Sequence, residues 1–371
     1  MLNKKEIERY DRQIKLSTVG LEGQERLKNA RVLVVGAGGL GCPVIIYLSS
    51  AGVGHIDILD GDVISISNLQ RQILYTENEI GTSKAVKSAE KAKAINPHIN
   101  VSPIHKFLNA TLALEIFHQY DLIIDCTDNF GSRYLINDVC ELYGLAFVSA
   151  ALHKFEGQLG VYNVRSKEGT FSASYRDVFP EAEKSSRSID CNEAGVMATL
   201  PGIMGLYQAN EALKFFIDKE NCLINKVLFL NSNSMNQFLL ESTPGKNKIT
   251  KKAEEILAST YELPCSSGNR ITTGDELLKL MGSGNTVLID VRELNELPRC
   301  SFPGMKQIPL SLLMKEPERV RELKQVVFVC KSGIRSKKAC ELINEFYPDV
   351  ITYDFTSGIT ALPVQKTDLI K

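Results

Sequence analysis

A glycine-rich turn between a strand and a helix constrains this chain more than any other feature. Gly36, Gly38, Gly39 and Gly41 follow the apolar run RVLVV and precede the helical run CPVIIYLSSAG. Glycines at such a turn let backbone N–H groups approach a phosphate at the positive end of a helix. The next strand-like run ends at Asp60, where a carboxylate can accept hydrogen bonds from a ribose. The pattern predicts a nucleotide-binding α/β sheet, and taken alone it suits NAD as well as ATP.

Residues 1–242 alternate between strand-like and helical patterns. The predicted strands are Arg31–Gly36, His55–Asp60, Val101–His105, Asp121–Asp125 and Ala146–Ala150. The predicted helices between them include Lys84–Ile95 and Asn129–Tyr143. Such alternation indicates a mostly parallel, doubly wound sheet. Alternating runs without helical spacing at Gln158–Val164 and Lys226–Leu240 predict an antiparallel extension of that sheet.

A second, smaller α/β block follows a linker. We assign residues 243–270 to the linker, because TPGKNKITKK and LPCSSGNR flank only a short helical piece. Residues 271–371 form the second block. Its predicted strands are Val287–Asp290, Val326–Cys330 and Val350–Asp354. Its predicted helices are Asp275–Met281 and Ser336–Phe346. A segment of about a hundred residues can form its own core.

The composition excludes several classes of function. With 43 basic and 44 acidic residues the formal charge is −1, so nothing favours a nucleic-acid or anionic-membrane partner. The uncharged run from Val32 to Gly54 is interrupted by six glycines and Pro43, which argues against a membrane span. Nine cysteines without a CxxC pair do not suit a disulfide framework, and the N-terminus lacks a secretory leader. We therefore expect a globular protein of the cytoplasm.

The segment after the second predicted strand favours phosphate chemistry over hydride transfer. The run SNLQRQ supplies Ser67, Asn68, Arg71 and Gln72, and Lys84 begins a predicted helix after a GTS turn. Arginine and lysine converging on a triphosphate neutralise the charge that develops in phosphoryl chemistry. A dehydrogenase has no such need, so this segment indicates ATP.

A carboxylate follows another predicted strand. The run LIIDC ends in Thr127, Asp128 and Asn129. The carboxyl end of a parallel strand is a suitable position for a Mg²⁺ ligand beside bound phosphates. We expect Asp128 to bind Mg²⁺ and Asn129 to line the same site.

Six ordered motifs within residues 1–242 resemble the MoeB/ThiF family, bacterial relatives of the ubiquitin-activating enzymes. They are RYDRQI, GAGGLG, DGDVISISNLQRQ, GTSKA, DCTDNFGSRYLIN and CNEAGVMATLPGIMG. The resemblance implies a homodimer with a Rossmann-like sheet and an antiparallel extension. It also implies ATP-dependent adenylation of the C-terminal glycine of a ubiquitin-fold sulfur carrier ending in Gly-Gly, of the MoaD or ThiS type.

The same resemblance implies roles for individual residues. Gly39 and Asp60 would hold the nucleotide, with Asn68, Arg71 and Lys84 around its phosphates and Asp128 on Mg²⁺. Arg12 of RYDRQ would reach the γ-phosphate of the partner subunit, so that the dimer is required for catalysis. A solvated helix charge is the alternative interpretation of Arg12.

The chain departs from the family pattern where many members bind a structural zinc. Ser174 and Asp177 stand where one CxxC pair would be, and no cysteine lies near Gly245, the place of the second pair. Zinc prefers thiolate and imidazole ligands at tetrahedral spacing. We therefore expect no structural zinc, and the fold near residues 170–180 and 240–250 has to be held by packing.

Cys191 in DCNEAG resembles a family cysteine that takes part in thioester or acyl-disulfide intermediates. It follows the run EAEKSSRS, and we expect an apolar helix to begin directly after it. The N-terminus of a helix favours the thiolate form. The alternative is a buried structural thiol.

The second block contains a cysteine loop that resembles a rhodanese sulfurtransferase over about residues 271–362. The strand VVFV ends in Cys330-Lys-Ser-Gly-Ile-Arg335-Ser336, and a helix follows. Backbone N–H groups, Lys331 and Arg335 would favour a thiolate or persulfide anion on Cys330. A cysteine phosphatase or arsenate reductase is the main competitor, but four residues separate Cys330 from Arg335, whereas the phosphatase motif has five.

The other cysteines lack such settings. We expect Cys42, Cys126, Cys140 and Cys340 to be small buried hydrophobes, while Cys265 cannot be assigned.

These features combine into one hypothesis with rivals. ATP activates the carrier's carboxylate, and a persulfide on Cys330, loaded by an upstream donor, gives a thiocarboxylate. Activation of a ubiquitin-like protein for conjugation, a NAD-dependent oxidoreductase with a regulatory rhodanese module, and a sensing module without turnover remain open. The molybdopterin, thiamin and tRNA-thiolation pathways are not distinguished.

Overall fold

A computed structural model describes most of the chain. The described residues are 1–180, 195–245, 251–259, 261, 269–271, 273–282, 286–296, 299–300, 302–331, 333–347, 349–362 and 369–370. The chain divides into two compact units, Met1–Tyr261 and Glu262–Lys371. Cys191, a predicted catalytic residue, and Cys265 lie outside the described residues.

The first unit is built on one eight-stranded sheet. Its strands are β1 (Arg31–Val35), β2 (His55–Leu59), β3 (Asn100–Ile104), β4 (Leu122–Asp125), β5 (Ala146–His153), β6 (Glu156–Tyr162), β7 (Lys226–Asn231) and β8 (Asn236–Glu241). Their order is β3-β2-β1-β4-β5-β6-β7-β8. The first five are parallel, and β6, β7 and β8 join them as antiparallel pairs. The predicted fold class, a mostly parallel sheet with an antiparallel extension, is confirmed.

Helices cover the sheet. Those in the described part of the first unit are α1 (Lys4–Arg9), α2 (Asp11–Ile14), α3 (Gly20–Asn29), α4 (Gly41–Ala51), α5 (Lys84–Ile95), α6 (Ala110–Ile116), α7 (Phe130–Tyr143), α8 (Tyr175–Val178), α9 (Thr199–Ile217) and α10 (Ala253–Ala258). The predicted bounds of α5 are confirmed. The helix begins at Lys84 because the Ser83 side chain caps its first turn by accepting from the Val86 amide. Helix α7 begins in the same way, since Asn129 accepts from the Ser132 amide at 2.8 Å.

The alternation of apolar residues along β1 places a core on each face of the sheet. Val32 and Val34 belong to the cluster with α4, α5 and α9, whereas Leu33 and Val35 belong to the cluster with α6 and α7. A sheet buried on both faces explains the continuous apolar run RVLVV. Strand β8, in contrast, lies at the sheet edge with every residue exposed.

The second unit has its own parallel sheet and core. Its strands are β9 (Asn269–Ile271), β10 (Thr286–Asp290), β11 (Arg299–Cys300), β12 (Lys306–Gln307), β13 (Gln325–Val329), β14 (Ile351–Phe355) and β15 (Leu369–Ile370). Five of them form the sheet β12-β10-β13-β14-β9, while β11 and β15 pair antiparallel. Its helices are α11 (Gly274–Met281), α12 (Leu310–Leu313) and α13 (Ile334–Phe346). Val326 and Phe328 face one core cluster of this unit, and Val327 and Val329 face the other.

Hydrogen bonds and ion pairs hold the segment near residues 174–177, where the resemblance to the MoeB/ThiF family would place part of a structural zinc site. Ser174 and Asp177 bond to each other in a capping box that starts α8. Arg176, which lies between these two residues, donates to the buried carboxylate of Asp138 from Nε at 2.5 Å and from Nη2 at 2.9 Å. Residues 251–261 pack on the same place, because Lys251 Nζ lies 2.9 Å from Asp138 and the Tyr261 hydroxyl donates to it at 2.7 Å.

None of the helices in the described part of the chain combines the length and apolar character that a bilayer span requires.

Candidate functional site

A cavity of about 360 Å³ opens at the carboxyl ends of the parallel strands of the first unit. The predicted nucleotide-binding residues that line it are Gly36, Gly38, Gly39, Asp60, Arg71, Gln72, Lys84, Asp128 and Asn129. Three predicted residues, Gly41, Ser67 and Asn68, do not line it directly. The strand ends therefore bring together residues that are far apart in the sequence, as expected for a doubly wound sheet.

Two glycines of the first turn have separate physical roles. Gly36 has φ +98°, and a Cβ there would lie 2.7 Å from the carbonyl oxygen of Cys126. At Gly41 a Cβ would lie 2.0 Å from the Gly36 carbonyl oxygen, so this glycine permits close packing of the helix start on the turn. Both positions exclude any side chain, which leaves the turn as bare backbone facing the cavity.

Asp60 holds the glycine turn as well as facing the cavity. Its carboxylate accepts from the Ala37 amide at 2.7 Å and from the Asp62 amide at 2.8 Å. Burial raises the pKa of Asp60, and these two amides oppose that effect. A carboxylate oxygen can accept more than one hydrogen bond, so a ribose hydroxyl remains a compatible further donor.

The predicted cations lie at the cavity wall with partners that fix them. Lys84, which is buried, forms an ion pair with Asp62 at 2.9 Å. Arg71 donates from Nη1 to the carbonyl of Ser67 at 3.1 Å. Gln72 is also buried, and its Oε1 has no hydrogen-bond partner among the residues that the structure describes. A buried amide oxygen without a partner is rare unless a ligand or water completes it.

The turn that carries Asp128 is fixed by a buried carboxylate. Asp125, at the end of β4, accepts from the Thr127 hydroxyl at 2.6 Å and from the Thr127 amide at 3.0 Å. The Ser149 hydroxyl also donates to it at 2.6 Å. Arg133 donates to the Thr127 carbonyl at 3.2 Å from the following helix. These bonds hold Asp128 at the cavity wall without using its own carboxylate.

Two predicted catalytic residues, Arg12 and Cys191, are not among the described residues that line the cavity. Arg12 is exposed on α2 and does not line the cavity of its own chain. For Cys191, the expectation of a helix directly after it is wrong as far as the described residues go: residues 195–198 are not helical and α9 begins at Thr199. The helix-dipole argument for a Cys191 thiolate therefore loses its support, because the dipole acts only within the first turn.

Cys330 directly follows β13, and α13 begins four residues later at Ile334. It is 1% exposed, and its Sγ lies 3.4 Å from the hydroxyl of the fully buried Ser336. Gly333 has φ +82° at the start of α13, where a Cβ would lie 2.9 Å from the Thr356 carbonyl oxygen. Gly333 therefore turns the chain tightly into α13, and the contact with Ser336 places the Cys330 sulfur beside the first turn of that helix, where anions are favoured.

The predicted cation of this loop is already paired. Arg335 makes a bidentate ion pair with Glu296, with Nη2 at 2.7 Å from Oε2. The Arg335 guanidinium lowers the pKa of Glu296 to about 2. Glu296 thus offsets part of the positive charge that the sequence predicted at Cys330. Sequence reasoning missed Glu296, because only the fold brings it next to a residue that is distant along the chain.

Other cysteines have the expected character. Cys42, Cys126, Cys140 and Cys340 are buried. Burial raises the pKa of Cys42 to about 12 and raises the pKa of Cys126 and Cys140 well above the usual thiol value. These three thiols stay protonated near neutral pH, so they do not act as nucleophiles.

Phe107 and Lys154 are two of the cavity residues that the sequence analysis missed. Phe107, 68% exposed after β3, lies over Gly61, and Lys154 lies in the turn between β5 and β6. In the sequence, only their position after predicted strands indicated a place near the cavity. That position does not by itself distinguish a cavity residue from a surface residue.

One unit combines bare backbone and fixed cations at a cavity, as nucleotide-dependent transferases do, and the other places a buried cysteine near a helix N-terminus, as a sulfur-carrying domain requires. The chain matches the ThiF family over residues 10–251 and the rhodanese-like domain over residues 273–357. It is similar to adenylyltransferase and sulfurtransferase MOCS3 of Culex quinquefasciatus, with 34% identity covering 91% of this chain and 82% of that protein. Its identity to the probable adenylyltransferase/sulfurtransferase MoeZ of Mycobacterium tuberculosis is 36%, covering 93% and 90%.

Among solved structures, E. coli MccB superposes with a TM-score of 0.57 at 22% identity, covering 67% of this chain and 74% of MccB, which supports the fold. The chain belongs to the ThiF family and carries a rhodanese-like domain after it. It is an ATP-using adenylyltransferase with sulfurtransferase activity. The family, enzyme class and activity predicted from the sequence are confirmed.

Proposed function

We propose that the substrate of the adenylyltransferase is a ubiquitin-fold sulfur carrier that ends in Gly-Gly, and that the product is its C-terminal thiocarboxylate. The observation that carries the proposal is the presence, on one chain, of a cavity with fixed cations and of a buried cysteine at a helix N-terminus. A relative from Porphyra purpurea, the probable molybdopterin-synthase adenylyltransferase, is 38% identical, covering 84% of this chain and 80% of that protein. This relative supports a carrier of that type.

In the first step a carboxylate oxygen of the carrier attacks the α-phosphorus of ATP, and pyrophosphate leaves. Arg71 and Lys84 would neutralise charge on the phosphates, and Asp60 would orient the ribose. The glycine turn would donate backbone hydrogen bonds. Both reactants are anions, so fixed cations and correct orientation supply much of the rate enhancement.

Asp128 would hold Mg²⁺ together with the phosphates. The described residues contain no cluster of three or more acidic, cysteine or histidine side chains that could bind a metal alone. One carboxylate still fits, because Mg²⁺ at nucleotide sites is usually bound through one or two carboxylates plus phosphate oxygens. When bound, the ion would neutralise charge on the phosphates. Asp125 would keep the turn of Asp128 in position.

In the second step the terminal sulfur of a Cys330 persulfide attacks the acyl carbon, and AMP leaves. The product is an acyl disulfide between the carrier and Cys330. A thiolate then attacks the Cys330 sulfur, which releases the carrier thiocarboxylate and leaves a disulfide with the attacking thiol. Cys191 or an external dithiol would supply that thiolate. A dithiol would then reduce the resulting disulfide of Cys330, and an upstream persulfide donor would reload the freed Cys330 thiolate.

The assembly would be a homodimer in the cytoplasm. Arg12 is exposed on α2 and absent from the cavity wall of its own chain, which is compatible with a role in the partner's site. The adenylation domain would be residues 1–242 and the sulfur-transfer domain residues 271–371. The linker between them, residues 243–270, would be held at its middle, because residues 251–261 pack on the first unit. Mixing an Arg12→Ala protein with a Lys84→Met protein tests the shared site: restored activity in the mixture requires a dimer that exchanges subunits.

Carrier-dependent ATP–pyrophosphate exchange tests the first step. Purified carriers of the molybdopterin, thiamin and tRNA-thiolation types are each added, and a carrier without its last glycine is the matched control. The proposal predicts exchange with at least one intact carrier and none with the shortened form. Exchange with no Gly-Gly carrier, or a conjugate between carrier and another protein without sulfur transfer, contradicts it.

A further inference from the structure

Lys154 occupies an unusual backbone position at the cavity rim. Strands β5 and β6 pair up to His153 and Glu156, so Lys154 and Phe155 form a two-residue turn. Lys154 has φ +55°, a left-handed conformation that natural chains usually give to glycine or asparagine in such turns. A strained residue that persists at a functional cavity is a reason to look for a role of its side chain.

The turn is tied to another cavity segment. A backbone bridge joins Lys154 to Val196, and both residues line the cavity together with Gly195. The Lys154 side chain makes no hydrogen bond or ion pair with any residue that the structure describes, in contrast to Lys84, which is paired with Asp62. A cation directed at a cavity without a carboxylate partner is suited to an anionic ligand.

The sheet order separates Lys154 from the ribose end of the cavity. Asp60 follows β2, and Lys154 follows β5, three positions further along the order β2-β1-β4-β5. At about 4.8 Å between neighbouring strands, β2 and β5 are roughly 14 Å apart across the sheet. Ser149 of β5 pairs with Asp125 at the end of β4, and Lys154 lies five residues beyond Ser149 along the chain. Lys154 therefore lies beyond the glycine turn of β1, on the side of the cavity that adjoins the antiparallel extension.

We infer that Lys154 binds the terminal glycine carboxylate of the incoming protein substrate and orients it toward the α-phosphorus. The inference rests on the proposed function. A carboxylate that arrives from outside meets the exposed rim before the buried wall, whereas Arg71 and Lys84 lie deeper, next to the glycine turn. Lys154 is then a substrate-binding residue that contributes to the affinity for the carrier and not to the affinity for ATP.

The test compares Lys154→Met, Lys154→Arg and Lys154→Gly with wild-type enzyme in pyrophosphate exchange. The glycine variant removes the cation while relieving the left-handed backbone, so a fall in its activity cannot come from a strained turn. Lys106→Met is the matched control, because Lys106 also lines the cavity but follows β3 at the opposite end. Thermal unfolding of each variant shows that the fold is retained.

Loss of a charge-assisted hydrogen bond predicts a KM for the carrier raised by about 10- to 100-fold in Lys154→Met and Lys154→Gly. The KM for ATP is expected to stay within about twofold, Lys154→Arg to recover most of the loss, and Lys106→Met to keep the wild-type KM for the carrier. A normal KM for the carrier in Lys154→Gly, or a rise confined to the KM for ATP, overturns this inference alone. Wild-type enzyme without exchange on any Gly-Gly carrier overturns the proposed function and this inference with it.

Discussion

Asp138 lies at the centre of an ion-pair network, and its replacement by asparagine tests how the first unit holds its last helix. The carboxylate, on α7, is buried and receives Arg176, Lys251 and the Tyr261 hydroxyl. Lys251 and Tyr261 flank α10, whose Ile256 is fully buried in the core on that face of the sheet. Asp138→Asn keeps the shape of the side chain and removes its charge.

The expected loss follows from the exposure of the partners. The Arg176 and Lys251 side chains are 21% and 29% exposed, so each ion pair is partly screened and contributes about 1 kcal/mol. Their charges become uncompensated in the variant, while relief of the buried carboxylate's desolvation offsets part of the cost. We expect the free energy of unfolding of this unit to fall by about 2 kcal/mol, which for a unit of this size is a fall in Tm of roughly 4–8 °C.

The stability that Asp138 contributes depends on pH. The partners of Asp138 hold its pKa below the usual aspartate value despite burial. Stability from a carboxylate with a lowered pKa is present above the unfolded pKa of about 4 and is lost as pH falls through the folded pKa. The difference in Tm between wild type and Asp138→Asn should therefore be largest near pH 7 and shrink as the pH falls below 4.

Circular dichroism during thermal unfolding measures this difference. Asp11→Asn, which removes only an exposed ion pair with Lys15, is the control and should change Tm by less than about 1 °C. A change as small as that in Asp138→Asn at pH 7 would refute the reasoning. So would a difference that grows toward pH 3.

Three further predictions concern the two chemical sites. Gly36→Ala places a Cβ 2.7 Å from a carbonyl oxygen at φ +98°, so ATP–pyrophosphate exchange should fall more than about 100-fold, and equilibrium binding of an ATP analogue should show the same loss. Glu296→Gln removes the partner of Arg335 and should cost about 1 kcal/mol at pH 7; because the folded pKa of about 2 lies below the unfolded value, this cost should disappear in unfolding curves as pH falls from 4.5 toward 2. Ser336→Ala removes the hydroxyl 3.4 Å from the Cys330 sulfur, so alkylation of Cys330 by iodoacetamide at pH 7 should slow by about three- to tenfold, and an unchanged rate would contradict a role for the hydroxyl.

Local signals explain which parts of the fold were predictable. Helix α5 was predicted to the residue because Ser83 caps it, and β1 was predicted to within one residue because a two-sided core requires the run RVLVV. The short strands β9 and β12 escaped notice, since they have only three and two residues and depend on neighbours for their hydrogen bonds. The start of α9 was placed too early, because an apolar run does not show where helical hydrogen bonding begins.

The site residues also divide into those that local sequence signals predict and those that depend on tertiary neighbours. Gly36, Asp60 and Asp128 were predictable, because each follows a strand and strand ends of a parallel sheet meet. Glu296 and Lys154 were not, because their importance depends on tertiary neighbours. Arg335 is separated from Glu296 by 39 residues, and no local pattern connects them.

Mass spectrometry of the carrier tests the central claim that one chain both activates a carboxylate and delivers sulfur to it. The carrier is incubated with ATP, Mg²⁺, a dithiol and thiosulfate, with wild-type enzyme or with Cys330→Ala. The account predicts that wild type exchanges one carboxylate oxygen of the carrier for sulfur, and that Cys330→Ala catalyses normal pyrophosphate exchange but leaves the carrier without sulfur. A thiocarboxylate formed at the wild-type rate by Cys330→Ala would contradict it.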